Sequence, residues 1–220
     1  MRLMMHRTLF SATLILLISS STLFGQTVTD RPISLEIGGS PGGGTWLVGG
    51  DDNAESNFNV YTIGFYADWY ATQKLAIEGE YTFGFGMSQD LTFRNGLIPG
   101  QQVPWIGDLG GRVLYFPQGT RARLPFYVGA GVGTMTLMSR RQTKNLGYDP
   151  TVTSSARFMT TNIGAGVKLP LGAQRPNWSF RLDYRVLFIN SNSDAPVFFA
   201  QQKSRTGHHV QFGMQYSFRR

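Results

Sequence analysis

No cysteine occurs among the 220 residues. That excludes a disulfide framework, a thiolate metal site and a lipidated N-terminal cysteine. Charge is scarce: Asp, Glu, Lys and Arg together make up 15% of the chain, while glycine reaches 27 residues. Past the first 25 residues no long apolar run is present, so no spanning helix is expected there. The chain also lacks His-Glu-x-x-His, a P-loop and an acidic loop with calcium-site spacing. No metal and no cofactor is expected. Basic residues outnumber acidic ones, 20 to 13, but they are dispersed. Nucleic-acid binding would need them gathered on one face, and that class is set aside.

What is present begins at the N-terminus. Arg2, His6 and Arg7 precede an apolar stretch from Leu9 to Phe24, and polar sequence starts at Gln26. This is the order of parts of a secretory signal peptide, and the apolar stretch is shorter than the ~20 residues a spanning helix needs. Residues 1–25 are expected to be a cleaved signal peptide and residues 26–220 a single domain. Cleavage would leave 18 basic residues against 13 acidic ones.

The remaining chain alternates. From Val210 to Phe218, Val210, Phe212, Met214, Tyr216 and Phe218 are large and apolar, and Gln211, Gly213, Gln215 and Ser217 between them are polar or tiny. A period of two is a strand with one greasy and one polar face. Seven further segments alternate in the same way: Ile33–Ser40, Val60–Tyr70, Leu75–Phe85, Trp105–Phe116, Phe126–Leu137, Phe158–Leu169 and Trp178–Phe188. In the fifth, rich in Val, Gly and Ala, the facing is ambiguous. Short links at 71–74, 117–123 and 170–177 alternate strictly with long ones at 41–58, 87–104, 138–157 and 189–207. That rhythm predicts an all-β fold, an eight-stranded antiparallel up-and-down transmembrane β-barrel, with short turns periplasmic and long loops outside. Trp69, Tyr115, Trp178 and Phe218 fall at the short-turn ends and make one interfacial girdle; Tyr81, Tyr184 and Phe188 are candidates for the other.

HVQFGMQYSF at the C-terminus, YVGAGVG in the fifth strand and RLDYRVLF in the seventh resemble the OmpA/OmpX-type eight-stranded outer-membrane barrels of Gram-negative bacteria. The resemblance covers nearly all of residues 26–220. It implies an outer-membrane location and a C-terminal assembly signal at Gln211, Gly213, Tyr216 and Phe218, read by the barrel assembly machinery. It also implies lipid and lipopolysaccharide as surroundings, and roles in envelope integrity, surface adhesion or small-solute leakage. A following peptidoglycan-binding domain is not expected.

The polar faces put Glu36, Asp68, Glu78, Glu80, Asp108 and Asp183 in the lumen with Arg112, Lys168, Arg181 and Arg185. Buried charges are costly unless paired, so a network is expected. Hairpin geometry places Glu78 opposite Arg112, and Asp183 lies between Arg181 and Arg185 on one face. An eight-stranded interior is only wide enough for side chains to fill it. The set therefore reads as a salt-bridged plug or, alternatively, as the gate of a small porin.

A lipid A-modifying enzyme is a second alternative. Deacylation needs Ser, His and an acid within reach. After residue 25 only His208 and His209 are available, adjacent and thus on opposite faces, with Ser191, Ser193, Asp194 and Ser204 nearby in sequence. No catalytic residue is expected. Asp51, Asp52 and Glu55 form an acidic loop patch. Arg140, Arg141 and Lys144 form a basic one that could meet lipid phosphates or simply be solvated. The long loops could take an extracellular ligand.

Overall fold

A computed structural model describes residues 33–48, 57–93, 96–141, 152–172, 177–190 and 205–219. The expected signal peptide lies outside these residues, as do Asp51, Asp52, Glu55, Lys144, Ser191, Ser193, Asp194 and Ser204. The described residues form ten strands: β1 (Ile33–Val48), β2 (Phe58–Tyr70), β3 (Leu75–Gly86), β4 (Ser88–Phe93), β5 (Gly96–Gln102), β6 (Trp105–Tyr115), β7 (Phe126–Arg141), β8 (Val152–Pro170), β9 (Trp178–Asn190) and β10 (Arg205–Arg219). Eight of them close into an antiparallel barrel in the order β1-β10-β9-β8-β7-β6-β3-β2, while β4 and β5 pair only with each other.

Alternation dictates facing. Phe65, Leu109, Met159, Ile163 and Phe212 point outward, each more than half exposed. Soluble monomers rarely present so continuous an apolar surface to water; bilayer hydrocarbon is its natural surrounding. Each barrel strand, from the 11 residues of β6 to the 19 of β8, is at least as long as the roughly 9–11 that a tilted crossing requires. At the short-turn end Trp69, Tyr115, Trp178 and Phe218 form the outward aromatic set. At the loop end the outward aromatics are Trp46, Tyr61, Trp105 and Phe188. There Phe83, Phe85 and Trp105 pack edge to face, with centroids 4.9–5.9 Å apart. Tyr81 and Tyr184 sit near mid-strand instead, opposite Leu109 and Val210, and so do not belong to that girdle.

The long loops at 41–58, 138–157 and 189–207 are shorter than the sequence reading, with β7 running on to Arg141, β8 starting at Val152 and β10 at Arg205. Strand β1 continues past Ser40 to Val48, taking up residues 41–48 of the expected 41–58 loop. Pro41 has no N–H to give the ladder, and its pairing is interrupted there on both sides, between Gly39 and Gly42 toward β10 and between Ser40 and Gly44 toward β2. The Ser40 hydroxyl bridges the gap, 2.6 Å from the Phe212 carbonyl. The 87–104 loop contains the β4–β5 hairpin, tied to β2 by Asn59 N–H donating to Gln89 Oε1 at 3.0 Å. The short turns are simple. Thr72 Oγ1 accepts from Lys74 N and Leu75 N, and Gly119 and Gly172 take positive φ, as glycine does without steric cost.

Candidate functional site

The lumen is built in layers. At the short-turn end Tyr70, Ala76, Leu114, Phe116 and Tyr127 pack together. At the loop end a larger apolar cluster includes Leu47, Phe58, Ile106, Leu137, Leu187 and Ile189. The ion-paired carboxylates and their Lys and Arg partners lie between these, while Arg205 is buried at the loop end beside Phe58. Inward positions near both strand ends carry apolar side chains, which exclude water where strands pass out of the charged zone.

Register sets up the charged layer. Glu36 pairs with Asp68 and Asp68 with Glu78 across adjacent strands, and Glu78 is opposite Arg112. Three carboxylates thus stand side by side, an arrangement that repels by itself. Facing them are Lys168 and Arg181, direct neighbours on β8 and β9. The two walls neutralise each other across the lumen. Lys168 Nζ binds Glu36 and reaches Asp68 Oδ2 at 2.9 Å. Arg181 reaches Glu78 at 2.5 Å and Asp68 at 3.5 Å. Arg112 Nε donates to Glu78 Oε1 at 2.6 Å, while its two Nη groups grip both oxygens of Asp183 at 3.2 and 3.0 Å. Asp183 also accepts from Arg181 at 3.3 Å and from Arg185 at 3.1 Å. Arg185 continues to Glu80 at 2.7 Å. Nothing of Asp68 or Asp183 is exposed. In so dry a setting bidentate Arg–carboxylate geometry is what makes burial of charge tolerable.

Of the expected lumen residues, Glu36, Asp68, Glu78, Glu80, Arg112, Lys168, Arg181, Asp183 and Arg185 come together in one connected network. Asp108 stands apart: its Oδ1 has no hydrogen-bond partner among the described residues. Tyr127, unassigned because its strand reads ambiguously, is central. It accepts from Arg181 Nε and donates to Asp183, both at 2.6 Å. Tyr66 and Tyr70, which parity alone places on the inner face, also take part. The Tyr66 ring lies 4.3 Å from the Arg181 guanidinium, and Tyr70 donates to Glu36. Arg205, buried beside the Phe58 ring, gives no signal in a segment that reads as loop. A Gly38 side chain would collide with the Tyr66 ring, so the chain needs glycine there.

The two histidines diverge. His209 Nδ1 faces inward, 2.7 Å from the Thr45 hydroxyl. His208 lies on the outer face, stacked on Tyr184 with its Nδ1 2.8 Å from the phenol oxygen. Among the described residues no group of three or more His, Asp or Glu could hold a metal ion. In the C-terminal stretch Gln211 and Gly213 face inward while Tyr216 and Phe218 face outward. Tyr216 packs edge-on against Trp178 and Phe218. Gly213 lies against the kinked part of β1, where a Cβ would strike the Gly39 carbonyl.

The closed eight-strand barrel with its apolar outside is the fold of the bacterial outer-membrane barrels. No family model and no curated protein matches the sequence. Solved structures match its fold. Neisserial surface protein A aligns over 84% of this chain and 97% of its own, with 14% identity and a TM-score of 0.60. The N-terminal barrel domain of Pseudomonas aeruginosa OprF aligns over 86% and 100%, with 13% identity and a TM-score of 0.51. A major outer-membrane protein of Thermus thermophilus aligns over 84% and 100%, with 15% identity and a TM-score of 0.51. These likenesses establish shared architecture.

Proposed function

We propose that this chain is a non-enzymatic outer-membrane protein with a structural or surface-interaction role, its lumen closed and its long loops turned outward. Residues 1–25 direct export and are removed. Ile33 and Arg219 pair at the short-turn end, which in this orientation faces the periplasm. Gln211, Gly213, Tyr216 and Phe218 serve assembly, and lipid and lipopolysaccharide cover the apolar band.

The observation that carries a closed lumen is the layering. A continuous ion-pair network spans the interior, supplied by β1, β2, β3, β6, β8 and β9, and apolar clusters lie on either side of it. An ion entering would have to shed its hydration twice and break paired charges between. Single-channel recording in planar bilayers tests this: the expected trace is a baseline without stable openings. Sustained conductance would favour the small-porin reading. Mass spectrometry of lipid A from cells with and without the protein should show no difference; a lost or gained acyl chain would install the enzyme reading. Binding to host surfaces by chains with shortened 49–57 or 191–204 loops tests the surface role, with loss of binding expected.

A further inference from the structure

Within the ion-pair network, Lys168 sits among three aromatic rings. Its Nζ lies 5.2 Å from the ring centroids of Tyr70 and Phe116 and 5.9 Å from that of Tyr127. It donates to Glu36, to Asp68 Oδ2 at 2.9 Å and to the Tyr70 oxygen at 2.5 Å. An ammonium has three N–H groups and no acceptor. Here each N–H finds an oxygen, and the ring faces take up the remaining positive field.

The socket's other members also contact one another. Glu36 is oriented by the Tyr70 hydroxyl, by Ser217 Oγ at 2.7 Å and by Gln215 Nε2 at 2.9 Å. The rings brace one another, with Tyr70–Phe116 and Phe116–Tyr127 centroids at 5.8 and 5.3 Å. These parts come from β1, β2, β7, β10 and the turn after β6, whereas Lys168 reaches in from β8. The socket also has acceptor capacity to spare. Asp68 Oδ1 and Gln215 Oε1 are fully buried and have no hydrogen-bond partner among the described residues.

We propose that this aromatic and carboxylate socket is a binding site for a primary alkylammonium, and that Lys168 fills it as a tethered ligand. Selectivity follows from the parts. A quaternary ammonium lacks the N–H groups that the oxygens require, and a potassium ion brings no apolar stem to cover the rings. Tethering gives Lys168 a high effective concentration, so the native chain is self-occupied and free amines do not compete.

The test vacates the site. The atoms lost in Lys168→Ala, from Cγ to Nζ, are those of n-propylammonium. The full chain is refolded from urea into lipid vesicles with n-propylammonium, tetramethylammonium or potassium chloride at matched ionic strength. For K168A the urea midpoint should rise saturably with n-propylammonium alone, while the native chain does not respond. Adding Glu36→Gln to K168A should raise the half-saturating concentration at least about tenfold, the loss expected for a charged partner. No response in K168A, or an equal response to potassium chloride, overturns the proposal. Should K168A fail to fold in every salt, Lys168→Cys in this cysteine-free chain is alkylated in urea with 2-bromoethylammonium or with iodoacetamide. Refolding restored only by the aminoethyl group supports the site; equal refolding with both, or with neither, overturns it. Neither arm depends on whether the lumen conducts.

Discussion

Strand β9 carries two kinds of interior on one face. Arg181, Asp183 and Arg185 point into the lumen, and two residues further along the same row so do Leu187 and Ile189. All five are almost fully buried. Asp183 accepts from Arg112, Arg181, Arg185 and Tyr127, while Leu187 and Ile189 belong to the apolar cluster under the loops. The apolar layer gains from area removed from water, which is non-directional and tolerant of small shifts. The ion layer gains only if each donor meets its acceptor, and a member left alone is penalised heavily. The loop end therefore supplies adhesion between strands, and the middle supplies an exacting check on register and closure.

The sharpest way to break this contrast is Asp183→Ala. Three guanidinium groups and a phenol lose an acceptor at once, so a loss of about 3–5 kcal/mol is expected, the range for an uncompensated buried charge. Urea unfolding in lipid vesicles measures it. A loss below about 1 kcal/mol would mean that water or a rearranged carboxylate replaces Asp183, and the ion layer would not be exacting.

On the same face, Leu187→Ala should cost about 2–4 kcal/mol through lost transfer energy and a cavity. It should leave bilayer recordings at baseline, because the charged layer beneath is untouched. Stable openings in this variant would show that the apolar layer, rather than the ion pairs, holds the lumen shut.

Glu78→Ala should cost less, on the order of 1–3 kcal/mol. Arg112 keeps both oxygens of Asp183, and Arg181 keeps Asp68 and Asp183. Replacing Glu78 and Arg112 together by neutral residues should recover part of the loss. Strictly additive losses in that cycle would mean the two side chains do not interact.

The smallest effect is expected for Tyr127→Phe, about 1–2 kcal/mol for a buried hydroxyl that both donates and accepts. No loss in urea unfolding would show that Arg181 and Asp183, already 3.3 Å apart, need no phenol between them.

How much of this was legible follows the range of each interaction. Tyr61, Phe65 and Trp69 against Thr62, Tyr66 and Asp68 state the facing of β2 without any structure, because neighbouring side chains on a strand must point apart. Glu78 opposite Arg112 follows from a hairpin centred near residue 95. Tyr127 was hidden because Val and Gly alternate beside it and neither face looks more apolar. The inner cluster under the loops was hidden for a related reason. Phe58, Leu187 and Ile189 occupy the same parity as the charged residues of their strands, and parity does not reveal where along a strand the polar zone stops.

The sequence by itself determined the strands, their faces, the loop rhythm and the stock of lumen charges, since all of these are local and periodic. Tertiary structure decided which charge meets which. Glu36 and Lys168 lie 132 residues apart, and Glu80 and Arg185 lie 105 apart. They meet only because β1 closes on β10 and brings the carboxylate wall of β1–β3 round to face the basic residues of β8 and β9. A period of two assigns a face, but no local pattern encodes the distance across a closed ring.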